Sequence, residues 1–437
     1  MTRDHDRNSR IERLSRRRLL GTAGLSAIAL AGCLGGEGNG DDDGAEAPEA
    51  ADIDGVPQLP RVEDPPDAVY IPTHREEMVH LPVVEAGEYA LSPMVTFAHR
   101  FWLVSGTETE EVTPSGPGVH LMFTPWDRET GQVLPVDAGA QMRTSLDGDV
   151  VDRRAPWPMI SQTMGFHFGD NVPLSEDGTY TVEVDLNPIG VRKTGAFAGR
   201  FEEHTTATFE FEYDDDFRRR VVEGVEYLDQ EHWGQRGALE PMTHDDHGGH
   251  GDDHDDHEHD HNDHDNHDNH DDRDNHEDHD DHDDHDDHDD HEHDHDDHDN
   301  HDNHDDHDHH MPFSSLPPAE EYPGTALGEP TSGDARFVVR YLEDGRFAEG
   351  GYLLVSPRTP YNRVPLPDMA LSIAAPVERT LDQTLDSEVG LHYGAGVDLS
   401  PGDTVELVVD APPQISRHSG YETAFLDMPP MDVVVPE

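Results

Sequence analysis

From about Pro65 to Asp214, apolar and polar side chains alternate in short runs rich in β-branched and aromatic residues. The clearest are "GEYALSPMVTFAHRFWLV", "GVHLMFTPWD", "GTYTVEVDLNP" and "HTTATFEFEYD". A period of two sends successive side chains to opposite faces of a pleated strand, so these runs predict strands with one face buried. "DRETGQ" and "SEDGTY" interrupt them with the Asp, Ser and Gly chemistry of tight turns and predict hairpins. A helical pattern enters only at Asp214 to Gln235, "DDDFRRRVVEGVEYLDQEHWGQ", whose leading aspartates suit the N-cap. A second strand-rich region covers about Asp334 to Val435. The pattern predicts an all-β chain of two antiparallel, immunoglobulin-like sandwiches, at residues 65–215 and 331–437, with a short helix within 216–243.

The two regions repeat each other. "GVHLMFTPWDRETGQVLPVD" (Gly118 to Asp137) parallels "GYLLVSPRTPYNRVPLPD" (Gly351 to Asp368). "MGFHFGDNVPLSEDGTYTVEVDLNP" (Met164 to Pro188) parallels "VGLHYGAGVDLSPGDTVELVVDAPP" (Val389 to Pro413). Both carry a G-[FL]-H-[FY]-G unit, a turn, and a strand of alternating apolar residues, so the chain reads as a tandem duplication.

Composition changes this picture in one place. Between His244 and His310 stand 24 of the 34 histidines, 33 acidic residues and one basic one, a net of −32 out of −68. The tract has nothing apolar to bury and Asp is a poor helix former, so with the proline-rich exit "SLPPAEEYPG" residues 244–330 predict a disordered linker. Neutral imidazoles beside carboxylates are ligands for zinc, nickel and copper, so the tract is expected to bind such ions weakly and with little selectivity. A plain acidic spacer would not need a histidine at nearly every third position. Elsewhere the acidic excess and scarcity of lysine resemble halophilic proteins, and the charge excludes nucleic acid as a partner.

The N-terminus reads as an export signal at residues 1–33. "SRRRLL" carries twin arginines and "GTAGLSAIALAGC" follows as a short apolar stretch. "LAGC" resembles a lipobox, which makes Cys33 the expected lipidated first residue of the mature chain. Residues 34–64 then form a flexible acidic tether, and the protein is expected on the extracytoplasmic face of the cell membrane. Cys33 is the only cysteine, which excludes an intramolecular disulfide, a thiolate site and a blue-copper centre.

The residues with most chemistry lie in "WPMISQTMGFHFGDNV" (Trp157 to Val172). Thioethers at Met159 and Met164 and the imidazole of His167 suit copper, Cu(I) above all, though methionine also serves as core filler. The segment resembles the signature of the periplasmic Fe(II)-transport protein family, small copper-binding β-sandwich proteins that accompany iron permeases. "WPM", "GFHFGDN" and "GTYTVEV" here stand where that family has "MPM", "GPHYG" with an asparagine, and a "GKYKVTF"-like strand. The resemblance implies that Met159 and His167 are metal ligands, one residue further apart here than in the family. It implies an H-x-E pair, His74 and Glu76 in "THREEM", and a late-loop histidine, for which the first copy offers only a displaced His204. His80, His99 and His120 read as strand or surface residues, with His99 a reserve ligand. In the second copy His392 matches His167 and His418 lies in "RHSGYET", close to the family's late loop, but Leu385 or Val389 replaces the methionine. That copy reads as degenerate.

No nucleophile elbow, H-E-x-x-H or phosphate loop is present, so an enzyme is not expected. The reading is an anchored metal-binding protein that captures iron or copper and passes it to a membrane permease. A non-catalytic surface interaction protein with incidental histidines stands as an alternative, as does a copper-dependent Fe(II) redox protein. Whether the chain forms homodimers like those relatives is left open.

Overall fold

The computed structural model describes residue 57, residues 59–242 and residues 312–437. The export signal, Cys33, most of the tether and the His/Asp tract lie outside the described residues. The described chain is almost entirely antiparallel β-sheet, as the alternation predicts.

In the first copy a nine-stranded sheet contains, side by side, strands Tyr89–Phe97, Gly118–Asp127, Gly165–Pro173 and Trp157–Ser161. A four-stranded sheet contains Thr205–Tyr213, Gly178–Leu186, Gln141–Leu146 and Asp149–Arg154. The second copy repeats this order in a ten-stranded sheet: Ala335–Leu342, Tyr352–Arg358, Gly390–Gly396, Arg379–Asp386. Its far strands Ala370–Ala375, Thr404–Ala411 and Met431–Val434 correspond to the four-stranded sheet of the first. The duplication therefore extends to topology.

Two expectations are corrected. "SEDGTY" is not a hairpin turn, and "DRETGQ" is one only locally: Trp126 bridges Val133 and the Asp127 N–H donates to the Gln132 carbonyl at 2.9 Å, but the chain then leaves the sheet. Gly118–Asp127 and Gly165–Pro173 lie in the nine-stranded sheet, whereas the strands that follow them belong to the four-stranded one. Turn chemistry reverses the chain but does not choose its next partner. The hairpin that obeys the dipeptide rule is Asp147-Gly148, both at positive φ, between Gln141–Leu146 and Asp149–Arg154. The expected helix is also shorter. It runs Asp215–Glu223 with the Asp214 carboxylate accepting from the Phe217 N–H, and Glu226–Tyr227 then pairs with His74–Arg75.

The copies exchange short strands. After Gly178–Leu186, residues Arg192–Thr194 leave their own copy and pair in parallel with Thr384–Asp386 of the second. After Thr404–Ala411, residues Ser416–Arg417 pair in parallel with Met159 and Ile160 of the first. Each copy thus lends the same loop to the same strand of the other. A continuous apolar core runs beneath both, including Phe123, Phe166 and Phe168 of the first and Val355, Leu391 and Tyr393 of the second.

Candidate metal centre

The strands of the nine-stranded sheet have unlike faces. Leu121, Phe123, Phe166, Phe168 and Ile160 point into the core. The intervening positions carry His120 and Met122, His167 and Gly169, and Met159. Register aligns them, with Met159 opposite His167, Gly169 opposite Met122, and Asn171 opposite His120. A period of two thus sorts the core from the donors, and the donor face is itself buried. His99, His120, His167 and His418 are each at most 8% exposed.

His418 reaches this face by strand exchange. Ser416 sits beside Met159, and two residues on the His418 N–H donates to the Ile160 carbonyl at 3.1 Å. The His418 Nε2 lies 3.1 Å from His167 Nε2. One nitrogen from each of His99, His120 and His418 falls within 4.8 Å of the others. Glu76 closes the group, with one oxygen 3.5 Å from His74 Nε2 and the other 3.5 Å from His99 Nδ1.

The hydrogen bonds around the rings fix their tautomers. His167 Nδ1 faces the Gly165 carbonyl at 3.2 Å and His99 Nδ1 faces that of Phe97 at 3.1 Å. A carbonyl only accepts, so each Nδ1 carries the proton and each Nε2 a lone pair, which at His167 faces His418 Nε2. His120 Nδ1 lies 2.9 Å from Asn171 Oδ1, whose amide is oriented by donating to the His99 carbonyl at 2.7 Å. The Nε2 atoms of His99 and His120 are buried with no hydrogen-bond partner. Unpaired buried lone pairs are costly unless something else uses them, and outer hydrogen bonds that hold the second ring nitrogen are how metal-binding imidazoles are positioned.

Gly169 leaves room in the middle. A Cβ there would lie 2.8 Å from His120 Nε2, 3.0 Å from Met159 Sδ and 3.1 Å from Met122 Cγ. Imidazole lone pairs, a thioether and a carboxylate around a space that only glycine leaves fit a late transition metal. Burial keeps the rings neutral. It pushes His167 down to about 4 and His120 and His418 well below the ordinary value, the latter helped by the neighbouring imidazoles. Burial also lowers His99, against the pull of Glu76. Burial works against the Glu76 carboxylate, but His99, His74 and Arg100 together hold it below the usual range.

A family model described as a domain of unknown function (DUF7350) matches residues 320–434. No curated protein matches. Among solved structures, a copper-bound variant of FetP from uropathogenic Escherichia coli strain F11 is 17% identical, over 32% of this chain and 92% of that one, with a TM-score of 0.22.

The structure thus brings together Met159, His167, His74, Glu76 and His418. It does not bring His204 or His392 to them. The side chain of His204 is 54% exposed beside Asp185, at the edge of the four-stranded sheet. His392 occupies the position of His167 in the second copy, where register shows what became of the other donors. Thr384, not Leu385, stands opposite His392 as Met159 does opposite His167; Leu385 faces the core. Tyr352 replaces His120, since it pairs with Gly396 as His120 pairs with Asn171. Thr194 follows Arg192 as His418 follows Ser416. The Tyr352 hydroxyl lies 3.3 Å from His392 Nε2 and fills the space over Gly394, the counterpart of Gly169. A hydroxyl therefore meets His392 Nε2 where, in the first copy, His167 Nε2 meets the imidazole of His418.

His120 is the member that the sequence reading left out, and His99 entered it only as a reserve ligand. The signal for His120 was a polar residue inside an otherwise apolar strand, "GVHLMF", whereas His99 lies between strands, just past Phe97.

A small cleft of about 40 Å³, room for about one water-sized guest, leads to the group from the surface. His74, Glu76, Met78, Met164 and His418 line it. The residues that flank the His/Asp tract are held at its edge. Met242 donates its N–H to the Thr163 carbonyl at 3.0 Å, and Ser314 Oγ accepts from the Phe166 N–H at 2.7 Å. Gly165, at positive φ, packs against Phe313 and Ser314, so the turn before His167 touches both ends.

Proposed function

We propose that this chain is an extracytoplasmic metal-binding protein, anchored through Cys33, whose buried centre takes one copper ion. His99, His120, His167 and His418 would hold it through Nε2, with Met159 and the His74–Glu76 pair beside them. The observation that carries the reading is the meeting of buried imidazoles from both copies: a nitrogen each of His99, His120 and His418 within 4.8 Å, His418 Nε2 3.1 Å from His167 Nε2, and His120 Nε2 beside Met159 Sδ over Gly169. Mixed imidazole and thioether donors favour copper, and the carboxylate of Glu76 widens the range toward iron. The resemblance to the Fe(II)-transport family supports delivery of the ion to a membrane permease. The His/Asp tract begins two residues after Met242, and we read it as a weak collector tethered beside the opening.

Deleting residues 244–310 tests the division of labour. The full chain is expected to bind several copper ions, most of them lost between pH 7 and pH 5 as ordinary imidazoles near 6.5 take up protons. The shortened chain is expected to keep one tightly held ion across that range, because strands hold its ligands before the ion arrives. Equilibrium dialysis with metal analysis reads both. A shortened chain that binds no copper would leave the interaction-protein reading in front.

A further inference from the structure

Beside the mixed centre lies a patch made of methionine alone. Met78, Met94, Met122 and Met164 are each at most 2% exposed and form a cluster separate from the main core, with Met242 packed against it. Met94 and Met122 are direct cross-strand partners on the donor face. Met78 and Met164 line the cleft that opens to solvent, and Met122 borders the space above Gly169. The cluster therefore runs from the opening to the centre.

Packing alone does not call for sulfur here, and the tandem copy is the internal control. Register equates Met122 with Leu354 and Met94 with Arg340, through Phe123/Phe168 against Val355/Tyr393 and the pairs Met94–Met122 and Arg340–Leu354. The repeated G-[FL]-H motif equates Met164 with Val389. Leu354 and Val389 belong to a satellite cluster of aliphatic and aromatic residues with Tyr322, Val338, Leu342, Phe347 and Tyr352. At the equated positions the second copy thus has Leu354, Val389 and a charged Arg340, and no thioether, where the first copy has methionine three times.

We propose that the Met78–Met94–Met122–Met164 cluster is a second metal site, selective for a soft monovalent ion, Cu(I) or its analogue Ag(I), on the way from the cleft to the histidine centre. Neutral thioethers bind such ions without releasing a proton and discriminate against hard divalent ions. Flexible, polarisable methionine side chains can regroup around an ion without a rigid cage. The site uses none of the nitrogen ligands of the centre, so it does not depend on the copper reading given above.

The test is Ag(I) titration of the full chain carrying ¹³C-methyl methionine, followed by methyl NMR, with the Cu(II) EPR signal of the centre recorded in parallel. The methyl resonances of the four residues are expected to shift together on addition of Ag(I). In the Met78→Leu/Met94→Leu variant, Met122 and Met164 should no longer shift at equimolar Ag(I), and affinity at this site should fall at least tenfold, with the Cu(II) signal unchanged. Ag(I) binding that leaves these four methyls unmoved in the wild type overturns the proposal, as does wild-type affinity in the variant. Loss of the Cu(II) signal in the wild type would instead count against the histidine centre.

Discussion

Metal-free protein moved from pH 7.5 to pH 5 is expected to lose roughly 4 kcal/mol of stability through His167 and His392 alone, since each falls to about 4 when folded against about 6.5 unfolded. The folded pKa is depressed, so the unfolded chain takes up these protons first and unfolding is favoured as pH drops from 6.5 toward 4. His99, His120 and His418 are lowered as well and act in the same direction. Against a typical net stability of about 5–15 kcal/mol this is a large share. The strongly acidic surface works the other way, because protonation relieves its self-repulsion, but ordinary carboxylates titrate near 4 and the imidazoles act first. The tract histidines contribute little if they remain solvated in both states. Urea melts at pH 7.5, 6 and 5 should show a falling midpoint without metal and a shallower fall with copper, since a ligated imidazole cannot protonate. A midpoint that holds or rises between pH 7.5 and 5 would show that these rings are not buried and neutral.

Replacing Gly169 by alanine is expected to reduce copper affinity at the centre by about 10- to 100-fold or more, the range seen when groups that set a metal's ligands are disturbed. Gly169 is not in the left-handed region, so the backbone accepts alanine. The added methyl would lie 2.8 Å from His120 Nε2 and 3.0 Å from Met159 Sδ, in the space the ion needs. Overpacking should lower stability by about 1–3 kcal/mol, which leaves a folded protein to assay. Thermal melts and a copper titration on the same sample separate the two effects. Unchanged copper binding in a folded Gly169→Ala protein would mean that this space is not the site.

Much of the architecture is legible from alternation. The period-two runs mark strands whose core faces are Phe123, Phe166, Phe168 and their counterparts, and the repeated G-[FL]-H-[FY]-G unit marks the duplication down to strand order. What is not legible is partnership across long sequence distances. "SEDGTY" reads as a hairpin because turn residues encode chain reversal, while the choice of sheet depends on packing far away. His418 was visible as a late-loop histidine, yet sequence assigns a loop to its own copy. Its transfer to the first copy follows from Ser416–Arg417 pairing with Met159–Ile160, a contact spanning more than half the chain. The same exchange explains why the first copy's own late loop offered only His204, which stays exposed beside Asp185. His120 was discounted as a strand residue, although at the parity of Met122 it belongs to the donor face; His99, a reserve ligand only, has the parity of core-facing Val95 and Phe97 and joins the group just past the end of their strand.

Central to this account is a single centre built from both copies. Its most direct test is a copper titration of the chain lacking residues 244–310, as wild type, as His418→Ala and as His392→Ala. The account predicts one tight equivalent in wild type and in His392→Ala, and a loss of that equivalent or at least about a tenfold weaker one in His418→Ala. Tight binding that survives His418→Ala, or that disappears with His392→Ala instead, would contradict it.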